Sequence, residues 1–186
     1  MPPRVKVTKE EIINAAVEIV RSFGAQAINA RTIASALNCS TQPVFSNFAT
    51  MEELRIAVVE KADWLCQEYM QREVEDGKFP TYKANGMAYI RFAKEEKELF
   101  KLLYMRDRSS ESIPERTEHT DKMESIVHNN TGLSGVDAKL FHLEMWAYVH
   151  GIATMFATGF LDLDWELVSR MLTDSYQGLR KQYGME

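Results

Sequence analysis

Apolar side chains recur at intervals of three and four residues along almost the whole chain, which is the period of an α-helix. The alternating pattern of a β-strand is absent, and proline, which interrupts helices, makes up only five of the 186 residues. The most apolar stretch, residues 140–161, contains Glu144 and His150, so a buried helix explains it better than a membrane span. The sequence therefore predicts an all-α protein with about nine helices.

Three helices are predicted within the first 50 residues. Thr8 can cap the first helix, with Glu11 three residues later as the partner in a capping box. Asn29 can cap the second, and Asn38 suits the turn that follows because asparagine tolerates left-handed backbone angles. Ser40 is predicted to cap the third helix. Two short helices joined by a tight turn and braced by another helix form a helix-turn-helix, whose second helix enters the major groove of DNA.

The third helix carries short polar side chains of the kind that read DNA. Val44 and Phe48 share a face and are expected to pack inward. Glutamine and asparagine can pair with adenine, while serine and threonine reach bases or phosphates. The residues of these types on the outer surface are Thr41, Gln42, Ser46 and Asn47. Arg31, in the first turn of the second helix, is placed to hold a phosphate. A solvated helix face explains the same pattern, so both interpretations stay open.

Residues 51–186 are predicted to form a larger helical bundle behind a DNA-binding domain of residues 1–50. Its helices are expected at residues 51–75, 80–91, 94–104, 114–129, 136–160 and 164–183. The aromatic and methionine side chains of this part are typical both of a bundle core and of an adaptable apolar ligand site. His150 suits either a core histidine bonded to a neighbour or a polar anchor in such a site, and metal binding together with His142 is a further alternative.

Charge is unevenly distributed along the chain, whose net value is -5. Five basic and three acidic residues lie at or before Thr50, whereas 17 basic and 24 acidic residues follow it. Because salt screens charges beyond about 8–10 Å, attraction to DNA depends on the local field of the contacting face. A mildly basic head on an acidic body is compatible with DNA binding and predicts modest non-specific affinity.

Common enzyme motifs are missing from the sequence. We find no P-loop, no GxSxG, no HExxH and no glycine-rich dinucleotide motif, and we predict no catalytic residues, metal or cofactor. Cys39 and Cys66 lie far apart and outside any CxxC pattern, which fits a reducing compartment. No signal peptide is recognisable. A cytoplasmic protein without a membrane partner is therefore expected.

Residues 8–54 resemble the N-terminal domain of the TetR family of transcriptional regulators. The similarity rests on Ala16…Phe23-Gly24, Arg31-Thr32-Ile33-Ala34, Cys39-Ser40, Phe45…Phe48 and Glu53-Leu54. Further along, Trp146-Ala-Tyr-Val-His150-Gly151 resembles the Trp-x-x-x-His-Gly motif of one C-terminal subgroup of that family. The resemblance implies a repressor that leaves its operator when a small molecule binds in the C-terminal domain.

The resemblance also identifies residues 40–48 as the recognition helix. Together with the polar pattern, it gives a predicted set of DNA-binding residues: Arg31, Thr32, Ser40, Thr41, Gln42, Pro43, Phe45, Ser46 and Asn47. The family usually has tyrosine and lysine, both phosphate contacts, where this chain has Phe45 and Met51. A second hypothesis is therefore a ligand-binding or protein-interaction dimer of the same fold with weak or lost DNA binding.

A small-molecule pocket in the bundle and a homodimer on two half-sites of double-stranded operator DNA are further implications of the resemblance. We expect an apolar or amphipathic effector, and the predicted ligand-binding residues are Trp64, Phe92, Leu103, Tyr104, Trp146 and His150. A face of small residues and a second stripe on the last helix independently favour a dimer interface, although internal packing would give the same pattern. The predicted interface residues are Ala147, Gly151, Thr154, Thr158, Met171, Leu172, Ser175 and Leu179.

Overall fold

The fold is built from nine α-helices within residues 7–107 and 125–185, which the computed structural model describes. The helices are α1 (Lys9–Phe23), α2 (Ala30–Ala36), α3 (Gln42–Asn47), α4 (Met51–Glu75), α5 (Thr81–Glu95), α6 (Lys97–Tyr104), α7 (residues 125–131), α8 (Gly135–Ala157) and α9 (Trp165–Gln182). A short 3₁₀ turn spans Ala25–Ala27. The all-α prediction is confirmed. Of the helix predicted at 114–129, only residues 125–129 lie within the described part, where they belong to α7.

Two compact units make up the described chain. The N-terminal unit consists of residues 7–67 and 96–106, and the C-terminal unit consists of residues 68–95, 107 and 125–185. Helix α4 contributes its first 17 residues, 51–67, to the N-terminal unit and the rest to the C-terminal unit. The domain boundary at residue 50 stays a prediction.

Helix α1 starts and ends where the sequence indicates. The Thr8 hydroxyl accepts a hydrogen bond from the Glu11 amide, and the Glu11 carboxylate accepts one from the Thr8 amide, so the predicted capping box is confirmed. Gly24 ends the helix with a φ of 81°, a left-handed angle that favours glycine. The inward face of α1 contributes Ile12, Ala16 and Val20 to the core of the N-terminal unit, where all three are fully buried.

The turn between α2 and α3 confirms one prediction and corrects another. Asn38 has a φ of 49°, as expected for the turn. Ser40 does not cap the third helix, which begins at Gln42 with Thr41 in the capping position and no side-chain cap bond. A capping side chain accepts from the second or third amide of the helix. For Ser40 the third would belong to Pro43, which has no N–H to donate.

The C-terminal unit is organised around α5, which packs against α8 and α9. Met87 and Phe92 of α5, Phe141 and Ile152 of α8, and Leu172 of α9 are buried in its core. Helix α5 ends at Glu95 and α6 begins at Lys97, a few residues after the boundary predicted between residues 91 and 94. Asp164 caps α9 by accepting from the Leu167 amide at 2.8 Å. None of the helices within residues 7–107 and 125–185 is long and apolar enough to cross a membrane.

Candidate nucleic-acid interface and ligand cavity

Helix α3 has one buried and one exposed face. Val44 and Phe48 are 1% and 2% exposed, and they anchor the helix in the core of the N-terminal unit. Gln42, Ser46 and Phe45 point outward, and Phe45 is 57% exposed. Contact between a large apolar side chain and water is unfavourable unless a partner covers the side chain. The outer face therefore combines hydrogen-bonding groups with one aromatic ring available to a partner.

Two polar side chains of α3 are engaged in bonds inside the unit. The Asn47 amide group donates to the carbonyl of Pro43 at 2.8 Å and to the carbonyl of Val7 at 3.4 Å. The Ser46 hydroxyl donates to the carbonyl of Gln42 at 2.9 Å. Since Asn47 ties α3 to the residue before Thr8, its geometry favours a positioning role, whereas its predicted DNA contact stays a prediction.

The start of α2 presents Arg31 on a capped helix. The Asn29 side chain accepts hydrogen bonds from the amides of Arg31 and Thr32, both at 3.0 Å, and the Thr32 hydroxyl in turn accepts from the Asn29 amide. The Thr32 hydroxyl is thus part of the cap. The Arg31 side chain is exposed and forms no ion pair with any described residue. Its guanidinium therefore lies free at the positive end of the helix dipole.

Replacing Asn29 with alanine should lower the free energy of unfolding by about 1 kcal/mol, because two amides of α2 lose their acceptor. Urea denaturation followed by circular dichroism measures this loss. The matched control is Ser35→Ala, an exposed substitution in the same helix. Equal stability of the two variants would show that the cap contributes nothing.

Helix α4 follows the candidate recognition helix after a short capped turn. The Thr50 hydroxyl accepts from the Glu53 amide at 3.1 Å, and the Glu53 carboxylate accepts from the Ala49 amide at 2.9 Å. Met51 is the first residue of α4. Met51, which stands where the resemblance to the TetR family implies a phosphate-binding lysine, therefore places an uncharged side chain at a helix start.

A cavity of about 390 Å³ lies within the C-terminal unit, a volume typical of small-molecule sites. It is lined by side chains from the end of α4, from α5, α8 and α9, and from the segments between them. The lining residues are Met70, Phe79, Pro80, Tyr82, Lys83, Asn85, Gly86, Tyr89, Asn130, His142, Met145, Trp146, Val149, Leu172, Thr173, Tyr176 and Gln177.

Two tyrosine–histidine hydrogen bonds join α5 to α8 at this cavity. Tyr82 Oη lies 3.2 Å from His142 Nδ1, and Tyr89 Oη lies 2.9 Å from His150 Nδ1. The tyrosines on α5 and their histidine partners on α8 occur in the same order along the chain, so the two helices run in the same direction. Burial lowers the pKa of His150, which favours its neutral imidazole beside the Tyr89 hydroxyl. His150 also stacks on Trp146, with ring centroids 4.8 Å apart.

The six predicted ligand-binding residues are divided between the two units, three in each. Trp146 lines the cavity, and His150 contacts it through Tyr89 and Trp146. Phe92 is buried in the same unit, where it packs edge-on against Tyr69 rather than lining the cavity.

The other three, Trp64, Leu103 and Tyr104, belong to the N-terminal unit. There Tyr104 Oη lies 3.4 Å from the buried Cys66 thiol, and burial raises the pKa of that thiol to about 12. The thiol is therefore held in its neutral form at physiological pH.

Several cavity-lining residues were not predicted from the sequence, among them Tyr82, Lys83, Tyr89 and Tyr176. The seven-residue spacing of Tyr82 and Tyr89, which puts both on one face of α5, is the signal that could have found two of them. Among the described residues, no group of three histidine, cysteine or acidic side chains is arranged to hold a metal ion.

The predicted dimer residues lie mainly on surfaces of α8 and α9. Ala147 and Thr158 are exposed, and Gly151 and Thr154 are half-buried. A Cβ atom at Gly151 would meet nothing within 4 Å, so open space lies over that position. Leu172 differs from the rest because it is 3% exposed and lines the cavity. The other predicted residues of α9 are Met171, Ser175 and Leu179, all half-buried.

Residues 82–175 match the family profile described as Tetracyclin repressor-like, C-terminal domain, and that range is half of the chain. The chain belongs to the TetR family of transcriptional regulators. The family prediction made from the N-terminal residues is therefore confirmed by an independent match to the C-terminal part. No curated protein matches the sequence of this TetR-family chain at a significant level.

Solved structures share the fold of this TetR-family protein at low sequence identity. A protein of unknown function from Rhodococcus sp. RHA1 is 22% identical, with a TM-score of 0.75 over 98% of each chain. A TetR-like transcriptional regulator from the same organism is 16% identical, with a TM-score of 0.67 over 99% of this chain and 100% of that one. The multidrug binding protein EbrR, complexed with imidazole, is 17% identical, with a TM-score of 0.63 over 90% and 88% of the chains.

Proposed function

We propose that this TetR-family protein is a homodimeric DNA-binding repressor that a small molecule releases from its operator. The observation that carries the proposal is the two-faced helix α3, whose inner face is locked by Val44 and Phe48 while Gln42 and Phe45 stand exposed. A rigid short helix with hydrogen-bonding groups on its outer face is what direct reading of base edges requires.

The surroundings of α3 supply the phosphate contacts in this proposal. Arg31 is exposed and unpaired among the described residues, and it lies in the first turn of a helix whose amides favour an anion. Thr41 and Gln42 stand at the start of α3, where a helix meets base edges in the major groove. Binding should therefore combine one strong cationic phosphate contact with readout by short polar side chains.

A homodimer would place two such helices on two operator half-sites about one helical turn apart. The proposed interface leaves out the buried Leu172. It keeps the other predicted residues of α8 and α9, which are Ala147, Gly151, Thr154, Thr158, Met171, Ser175 and Leu179. Small residues such as Gly151 let two helix backbones approach closely. Leu140 and Leu143 of α8 are exposed apolar residues that a partner would cover.

The cavity is the proposed effector site, and α4 is the proposed link to DNA. Met70 of α4 lines the cavity, and the same helix begins three residues after Phe48. A ligand that shifts the end of α4 would change the spacing of the two recognition helices in a dimer. A coupling free energy of about 1–3 kcal/mol, or roughly 5- to 150-fold in operator affinity, is sufficient.

The test of this function is selection of duplexes from a random pool by the purified protein, followed by footprinting on the selected sequence. The proposal predicts one enriched sequence with two related half-sites, both protected together. Enrichment of no sequence would overturn the DNA-reading claim, and enrichment of a single half-site would overturn the dimeric arrangement.

A second candidate function is a ligand-binding dimer with weak DNA affinity, and Phe45 and Met51 favour it. Neither side chain can donate a hydrogen bond to a phosphate, although one is exposed on α3 and the other begins α4. The protein would then regulate by capturing its ligand or a protein partner.

The double substitution Phe45→Tyr with Met51→Lys distinguishes the two functions. We expect it to strengthen DNA binding about tenfold at low salt and to steepen the slope of log affinity against log salt by about one unit, for one added charge. Phe45→Tyr with Met105→Lys adds the same charge on another exposed residue. A gain from weak to tight binding would favour the second function, and unchanged affinity would show that these contacts do not limit binding.

A further inference from the structure

The cavity of the C-terminal unit has one formal positive charge in its lining and no formal negative charge. Lys83 is the only lysine, arginine, aspartate or glutamate among the described residues that line it. Most of the remaining wall is apolar, with Met70, Phe79, Met145, Trp146 and Leu172 as its largest apolar members. The site is therefore amphipathic, and its one charged group is positive.

Lys83 is held in place by neutral groups. Its ammonium donates a hydrogen bond of 2.7 Å to the Thr173 hydroxyl on α9, and the same hydroxyl donates to the Ser169 carbonyl at 3.0 Å. The ammonium also lies 4.8 Å from the centroid of the Phe79 ring. An ammonium has three N–H donors, and only one of them is engaged with a described residue. Two donors stay available to a ligand.

No carboxylate within the described residues balances this charge. The ion pairs of α5 involve Arg91 and Lys94, which bond to Glu73, Glu95 and Asp162, but not Lys83. Partial burial lowers the pKa of the Lys83 ammonium, and no neighbouring charge opposes that shift. A cation that is partly desolvated without a counter-ion gains free energy when an anion binds beside it.

The geometry points to an apolar monocarboxylic acid as the effector of this protein, with its carboxylate on Lys83 and its apolar body against Trp146, Met145 and Leu172. This inference rests on the proposed ligand site. One cation with two open donors matches a single carboxylate, whose oxygens accept both bonds. A phosphate group carries up to two negative charges and is matched better by guanidinium groups, and the described lining contains no arginine.

Isothermal titration calorimetry on the full-length protein tests the inference with two sets of matched probes. One set is decanoate, 1-decanol and decylamine, and the other is 2-naphthoate and 2-naphthol. At least one acid should bind roughly 10- to 100-fold more tightly than its uncharged partner, because a hydrogen bond to a charged group is stronger than one between neutral groups. Decylamine should bind more weakly than 1-decanol.

The matched variants are Lys83→Met and Lys94→Met, the second being a lysine of the same helix that does not line the cavity. Lys83→Met should remove the preference for the acid over its uncharged partner, whereas Lys94→Met should keep that preference. Thermal melting by circular dichroism confirms that both variants are folded.

The outcomes separate this inference from the proposed function. If the alcohols bind as tightly as the acids, or if Lys83→Met keeps the acid preference, the carboxylate inference is overturned while the ligand site stands. If no probe of either set binds, the inference is overturned together with the proposed apolar effector site. DNA binding is measured separately, so neither result decides whether α3 reads DNA.

Discussion

Replacing Phe48 with alanine is expected to lower the free energy of unfolding by about 3–5 kcal/mol, the largest single effect that we predict. The ring is 2% exposed and terminates α3, and the Lys9 ammonium lies 4.8 Å from its centroid. Removing it leaves a cavity beneath α3. Operator binding should therefore be lost along with stability, and urea denaturation followed by far-ultraviolet circular dichroism measures the first of these losses.

Phe45→Ala is the matched control, because it removes the same side chain three residues earlier on the exposed face of α3. Exposed substitutions usually change stability by less than about 0.5 kcal/mol. Phe45→Ala should therefore unfold like the parent protein, yet bind the operator less tightly if the ring packs against DNA. Equal destabilisation by the two substitutions would contradict the two-faced description of α3.

The second large effect is expected from Arg21→Met, which should lower the free energy of unfolding by about 2–3 kcal/mol. Arg21 of α1 donates two hydrogen bonds to Glu96, at 2.8 Å from Nε and 2.7 Å from Nη2. The Glu96 side chain is only 14% exposed, so loss of its partner leaves a nearly buried carboxylate unpaired. The bidentate bond to Glu96 is the main cause that raises the pKa of Arg21.

Two further variants isolate the contribution of this pair. Glu18→Gln removes the exposed partner of Arg21, whose side chain is 65% exposed, and should cost less than about 0.5 kcal/mol. The double variant Arg21→Met with Glu96→Leu should regain most of the lost stability, because no charge is then left unpaired. If Arg21→Met costs no more than Glu18→Gln, the bond between α1 and the start of α6 is an ordinary surface ion pair.

The helices could be predicted from the sequence because their determinants are local. The capping box of Thr8 and Glu11, the Asn29 cap and the left-handed Asn38 each depend on residues within a few positions. The Ser40 cap was wrong because the helix begins two residues later, at Gln42, with Pro43 in its first turn. Helix ends governed by neighbouring residues are accessible to sequence reasoning when each amide is accounted for.

The cavity could not be predicted in the same way, because its wall is assembled from residues far apart in sequence. His150 meets Tyr89, 61 positions earlier, and Lys83 meets Thr173, 90 positions later. Phe92 follows the helical period as well as Tyr89 does, yet only Tyr89 lines the cavity. Periodicity separates inward from outward faces but does not separate a packed core from a cavity wall.

DNA reading by α3 is tested most directly by fluorescence anisotropy with a labelled duplex of the sequence that is enriched from the random pool, between about 50 and 200 mM salt. We expect tight binding to this duplex and much weaker binding to its shuffled sequence. Thr41→Ala with Gln42→Ala should weaken operator binding at least about tenfold while leaving the affinity for the shuffled duplex unchanged. Equal affinity for the two duplexes, or an operator affinity that the double substitution does not change, would contradict DNA reading by α3.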